Sequence, residues 1–297
     1  MKPAAIIVVL LAVAISAGAQ NSAPAAKNQN PAQQAAAGAP PQGKRPPQAK
    51  TQPEFDAYKA AVANQADPAA LEKATDDFAA KFPNSELIPL LYRTTMRGYQ
   101  SANNADKLAE VSGKVLKADP DDPEALVNTA EAITERTHDT DLDKDQRFDE
   151  ATKDAQRAIQ TVETDVPTGV APEQVEAYKG LLKSNAYSVL GTISFNQEKY
   201  ADAESAYRKS IDAFPQPDPV VVLRLALSLD KQNRYPEALK EATRAVDMTQ
   251  EATAVGKLAR QERDRLAQLT GAAKPPAAAS PSPSPGSAPA PANPQPH

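Results

Sequence analysis

Between Tyr187 and Pro215 the chain reads Tyr-Ser-Val-Leu-Gly, then Ala203 twelve residues past Gly191, then Tyr207, Ser210 and a closing Pro215. Tyr235 and Ala238 stand thirty-five residues after Tyr200 and Ala203, in the same relative places. Small and large residues that return at this period mark stacked helical hairpins, units too thin to bury an apolar face alone. A chain built this way works by presenting a surface.

The central region agrees with an all-α class. Its apolar residues recur at three and four positions, and no strand-like alternation lasts more than a few residues. Turn chemistry interrupts the pattern at Asp67-Pro68, at Phe82-Pro83-Asn84-Ser85, across Asp119 to Pro123, across Pro215 to Pro219 and at Tyr235-Pro236. About eleven helices fit between these breaks, as a string of antiparallel pairs.

In the best-marked pair, Tyr187, Leu190 and Gly191 share one face of the first helix. Ala203, Tyr207, Ser210 and Ile211 form the stripe of an amphipathic second helix. Small residues meet where the two axes cross, and the aromatic ring fills the gap beside them. Pro215 stops the second helix because it has no amide hydrogen to continue it. These residues resemble the tetratricopeptide repeat (TPR), whose pattern runs Leu-Gly in helix A and Ala, aromatic, Ala, Pro along helix B. Residues 184–217 match it, with Ser210 in place of the second Ala and Ser194 where a Tyr is usual. Residues 219–252 keep Leu225, Ala226, Leu229, Ala238, Ala242 and Ala245, with Gln250 in place of Pro.

Looser copies lie upstream. Tyr92, Tyr99, Leu108, Val115 and Pro120 outline one; Leu126, Ala130, Ala151, Ala155, Ala158 and Ile159 outline another, interrupted by an acidic insertion. Phe78 and the run Phe82 to Ser85 are similar to repeats of bacterial envelope proteins that serve outer-membrane assembly and the Tol–Pal system. The resemblance implies a TPR-like α-solenoid over 53–270, with 251–270 as a capping helix. On that helix Val255, Leu258, Leu266 and Leu269 are expected to face inward, leaving Arg260, Arg263, Asp264 and Arg265 in water.

The flanks cannot belong to a core. Residues 20–52 are mostly Ala, Gln, Asn and Pro, and 271–297 almost wholly Ala, Pro and Ser; both read as disordered arms. Residues 1–19 read as a cleaved export signal: Lys2, an apolar run from Ala4 to Ile15, then Ala17-Gly18-Ala19. A retained membrane anchor is the other reading, but a run this short falls well under the roughly 30 Å of a bilayer core. The expectation is an exported chain, periplasmic or extracellular, with no membrane span after cleavage. The absence of cysteine excludes disulfides, thiolate chemistry and a lipid-modified cysteine after the signal.

The formal charge is −5, while Lys2, Lys27, Lys44, Arg45, Lys50 and Lys274 all lie in the flanks; residues 53–270 therefore hold −11. That balance argues against a nucleic-acid partner. With two histidines, no phosphate-cradling glycine loop and no dinucleotide fingerprint, neither a catalytic centre nor a cofactor site is expected.

The expected function is therefore that of a non-catalytic scaffold which binds a protein or peptide. In the TPR family the groove is lined by helix A, which here implies Asn185, Ser188, Thr192 and Phe195, then Val220, Leu223 and Leu227. The last three also fit burial under neighbouring helices, and both readings stand at this point. The carboxylate clamp of cytosolic TPR co-chaperones is not matched, because Ser188 and Thr192 occupy positions where it needs Lys and Asn. The alternative function is calcium binding by 139–150, where acids fall at positions 1, 3, 5, 7 and 12 of a candidate loop. Lys144 at position 6, where that loop wants glycine, counts against it.

Overall fold

The computed structural model describes residues 47–167 and 170–271. The signal-like segment 1–19, most of the linker and the tail beyond 271 lie outside the described residues. Eleven helices appear among those described: α1 (Gln52–Val62), α2 (Pro68–Lys81), α3 (Ile88–Ser101), α4 (Ala105–Ala118), α5 (Pro123–Arg136), α6 (Lys144–Thr161), α7 (Pro172–Asn196), α8 (Tyr200–Ala213), α9 (Pro219–Lys231), α10 (Tyr235–Asp247) and α11 (Ala254–Leu269). They form five consecutive pairs closed by α11. Each helix packs on the next, and α5 also meets α7, as α9 meets α11. The fold is an α-solenoid of helix hairpins.

Local chemistry explains the boundaries. Asp67, Asp122 and Asp218 accept hydrogen bonds from the first free amides of α2, α5 and α9, and a proline follows each of them. The turn inside three pairs is one device repeated. Asn103, Glu198 and Asn233 adopt φ of 53°, 60° and 61°. The next amide in each case reaches back five residues, from Asn104 to Tyr99, Lys199 to Ser194 and Arg234 to Leu229, at 2.9–3.0 Å. That left-handed step satisfies the last carbonyls of the first helix and reverses the chain.

Helix crossing in the best-marked pair depends on Gly191. A Cβ there would lie 2.5 Å from Cε1 of Tyr207, whose ring is 1% exposed and cannot retreat. Gly191→Ala is expected to destabilise the protein by about 1–3 kcal/mol through overpacking. Gly113 is the control, because a methyl added there meets nothing within 4 Å. Thermal melts should show Gly191→Ala falling and Gly113→Ala holding; equal melting points would show that the crossing tolerates a side chain. Ser210 departs from the repeat's alanine without leaving a buried hydroxyl unpaired, since its Oγ donates to the Ser184 carbonyl at 2.7 Å.

Four expectations need correction. First, α7 starts at Pro172, twelve residues before the start of the 184–217 unit, because no breaker falls between Pro172 and Asn196. Gly180 lets this extension pass the end of α8, where a Cβ would stand 2.6 Å from the Ala213 carbonyl oxygen. Second, residues 47–51, grouped with the linker by composition, lie on the fold: Lys50 Nζ donates to the Asn84 carbonyl at 2.7 Å, and Ala49 packs on the first core cluster. Third, α11 turns Ala259, Leu266 and Ala267 inward, while Leu258 and Leu269 are 55% and 54% exposed. Ala259 wins the buried position because a small side chain allows close approach to α9 and α10.

The fourth concerns the acidic insertion. Helix α6 begins at Lys144, so the second half of the candidate calcium loop is helix and its acids are strung along that helix rather than gathered round a point. Asp139 pairs with Lys144 at 3.3 Å, and Arg147 takes Asp143 at 2.8 Å and Asp141 at 3.6 Å. These carboxylates are spent on cations of the chain itself, and the calcium reading is set aside.

Candidate functional site

The first helices of successive pairs, α3, α5, α7 and α9, share one face of the array. Its N-terminal part is a dense ionic network. Arg93 of α3 bonds Asp122, the N-cap of α5, and reaches Asp165 beyond α6 at 3.5 Å. Arg97, one turn later, grips both oxygens of Glu124 in the first turn of α5. The Tyr178 hydroxyl, on the extension of α7, bonds the same Glu124. Burial raises the Glu124 pKa, but Arg97 more than offsets this and holds the carboxyl below its usual range. Burial, then the Glu124 charge, push the Tyr178 hydroxyl well above its ordinary value. Three successive pairs are thus tied together on one side.

The middle of the face is different. Thr192 of α7 accepts from Arg224 of α9 at 2.8 Å and from the Tyr207 hydroxyl at 3.4 Å. Glu131 of α5 is open to solvent, with protein on either side, and among the described residues it has neither a hydrogen-bond nor an ion-pair partner. Reduced hydration, then the charge of Glu135, push its carboxyl up to about 7 against the pull of Arg224; its access to water limits that rise. Asp218 adds a further negative charge nearby.

The predicted groove residues separate into two groups. Asn185, Ser188 and Thr192 are half-buried along α7, and Val220 is half-buried at the start of α9. Phe195 packs against the core of the last two pairs and meets Tyr200 edge-on at 5.3 Å. Leu223 is 6% exposed and belongs to a cluster with Val222, Ala245, Val246 and Ala259, and Leu227 packs against that cluster. Of the two readings open for Leu223 and Leu227 the structure favours burial, since both pack with residues of α10 and α11, whereas Val220 lies outside that cluster. Sequence reasoning missed Arg93, Arg97, Glu124, Glu131, Tyr178 and Arg224. Arg93 and Arg97 stand four apart, and Glu124 and Glu131 seven apart, so each pair shares a helix face, and that spacing was the available signal.

Among the described residues no cluster of His, Cys, Asp and Glu suits a metal ion, and no helix is long and apolar enough to cross a membrane. No protein-family model matches the sequence, and no curated protein matches it significantly. Solved structures do. PilF of Pseudomonas aeruginosa superimposes with a TM-score of 0.50 over 74% of this chain and 87% of that one, at 17% identity. TTC0263, a thermophilic TPR protein of Thermus thermophilus, gives 0.41 over 73% and 98%, at 14% identity. PilW, a widely conserved type IV pilus biogenesis factor, gives 0.37 over 70% and 98%, at 15% identity. Likeness at such identities speaks of fold alone. The period, the Gly191–Tyr207 crossing and the repeated left-handed turn together define the solenoid more closely: it has the fold of a TPR protein.

Proposed function

We propose that this chain is a non-catalytic scaffold of the cell envelope that holds a protein partner on the face shared by α5, α7 and α9. The observation that carries this reading is Glu131, an unpaired carboxylate in the middle of a face whose other charges are largely engaged. A partner offering a lysine or arginine there would regain a charge-assisted bond in partly excluded solvent. Asn185, Ser188 and Thr192 supply amide and hydroxyl groups for a peptide backbone, with Val220 at the far end. Export rests on the segment from Lys2 to Ala19. A solenoid of stacked helix pairs offers an extended surface of the kind that holds a protein segment.

The test uses the full chain, immobilised, against envelope extract, with captured proteins identified by mass spectrometry. Reversing the charge with Glu131→Lys should cut capture of the specific partner at least about tenfold, which corresponds to roughly 1.4 kcal/mol. Glu135→Lys, one turn further on, should weaken it less. Undiminished capture by both variants, with an unchanged melting curve, would place the partner on another face.

A further inference from the structure

The face shared by α5, α7 and α9 holds two opposite charges that the chain leaves apart. One is Glu131 on α5, which has no bonded partner among the described residues. The other is Arg224 on α9. Its guanidinium gives one N–H to Thr192 Oγ1 at 2.8 Å and touches no carboxylate among the described residues, which leaves most of its fork of donors open. Helix α7 lies between them: it packs on α5, and Thr192 joins it to α9.

Elsewhere on the array an arginine closes on an acid of a neighbouring helix: Arg97 on Glu124, Arg234 on Glu204, Arg265 on Asp230. Glu131 and Arg224 do not bond each other, yet they share one field. Arg224 draws the Glu131 carboxyl down, while Glu135 and Asp218 push it up.

That gap decides what fits it. A cation brought alone to Glu131 also approaches Arg224, and like charges in partly excluded solvent repel. An anion brought alone to Arg224 meets Glu131, with Glu135 and Asp218 beyond it. A segment that carries one of each meets both walls, and neither of its charges then faces an unmatched charge of its own sign. The open fork of Arg224 can take a carboxylate through two parallel bonds. Val220, half-buried one turn before Arg224 on α9, would cover an apolar residue beside that anion.

We infer that the partner segment carries a lysine or arginine and an aspartate or glutamate side by side, the cation on Glu131 and the anion on Arg224. This rests on the face proposed above and narrows its partner, because a purely basic segment fits the gap poorly.

Fluorescence polarisation of the full chain against synthetic peptides tests this. The probes are blocked, alanine-rich peptides of about a dozen residues. One carries a lysine alone; the others carry a lysine and a glutamate at successive spacings up to one helical turn, in either order. At least one mixed peptide should bind at least about tenfold tighter than the lysine-only peptide. Glu131→Gln should weaken both. Arg224→Gln, whose amide can still donate to Thr192, should erase the advantage of the mixed peptide. The lysine-only peptide should then bind more tightly, since its cation no longer meets Arg224. Each comparison is a ratio within one variant, so a weaker fold cannot imitate it. A wild type that binds the lysine-only peptide as well as any mixed one overturns the inference and leaves the cation-binding face standing. A mixed-peptide advantage that survives Arg224→Gln puts the anion elsewhere and overturns it too. Binding of neither kind, or binding indifferent to Glu131→Gln, overturns the proposed face along with it.

Discussion

Leu223→Asp will unfold the C-terminal end of the array rather than merely strip it of a partner. The side chain is 6% exposed and packs with Val222, Ala245, Val246 and Ala259, on helices α9, α10 and α11. Truncating a buried leucine costs about 2–5 kcal/mol, and a carboxylate forced into the same place must ionise without a partner or stay protonated, at further cost. A loss of at least about 4 kcal/mol is expected, or roughly 8–16 °C in melting temperature for a domain of this size. Hydrogen exchange should show it concentrated in α9 to α11, because end units of a repeat array open most easily. Leu223→Met, which keeps volume and apolarity, should cost under about 1.5 kcal/mol. A Leu223→Asp protein that melts like the wild type and has lost its partner would restore Leu223 to a binding slot.

The second large effect lies at the other end. Asp122 has a fully buried side chain, caps α5 through the Ala125 amide at 2.9 Å, and is bonded by Arg93, whose own side chain is 16% exposed. Arg93→Ala removes the cation and leaves the buried carboxylate, a change that costs about 3–5 kcal/mol in comparable pairs. Combining Arg93→Met with Asp122→Asn should recover most of this, because the amide still caps the helix and needs no counter-charge. Chemical denaturation of Arg93→Met, Asp122→Asn and the double closes the cycle. If Arg93→Ala costs under about 1 kcal/mol, on the scale of an exposed pair, the network is a surface decoration and not a tie between repeats.

The two variants also mark where reading the chain succeeded and where it stopped. Gly191, Ala203 and Tyr207 were legible because a repeat must place its smallest residue against its largest wherever two axes cross. The starts of α2, α5 and α9 were legible because Asp followed by Pro is a local instruction, carried out within four residues. The extension of α7 escaped notice because a 34-residue template was laid over a helix that simply begins earlier, at Pro172. Leu223 and Leu227 were legible as one stripe of α9, but whether that stripe met a partner or neighbouring helices stayed open, and α10 and α11 cover it. The leucines of α11 were misread for a related reason: Ala259, by its small size, takes the buried position that Leu258 was expected to hold.

The Arg93–Asp122 tie spans 29 residues, and Arg224 meets Thr192 across 32. No pattern along one helix announces such a meeting. The chain alone determined that it would be helical, paired and periodic, because helix starts, turns and amphipathic stripes arise from contacts among near neighbours. Only the stacked structure decided which stripe faces another helix and which faces water, and which charges are already matched. Those outcomes depend on how far each pair is rotated against the next, a property of the assembled array that no single repeat encodes.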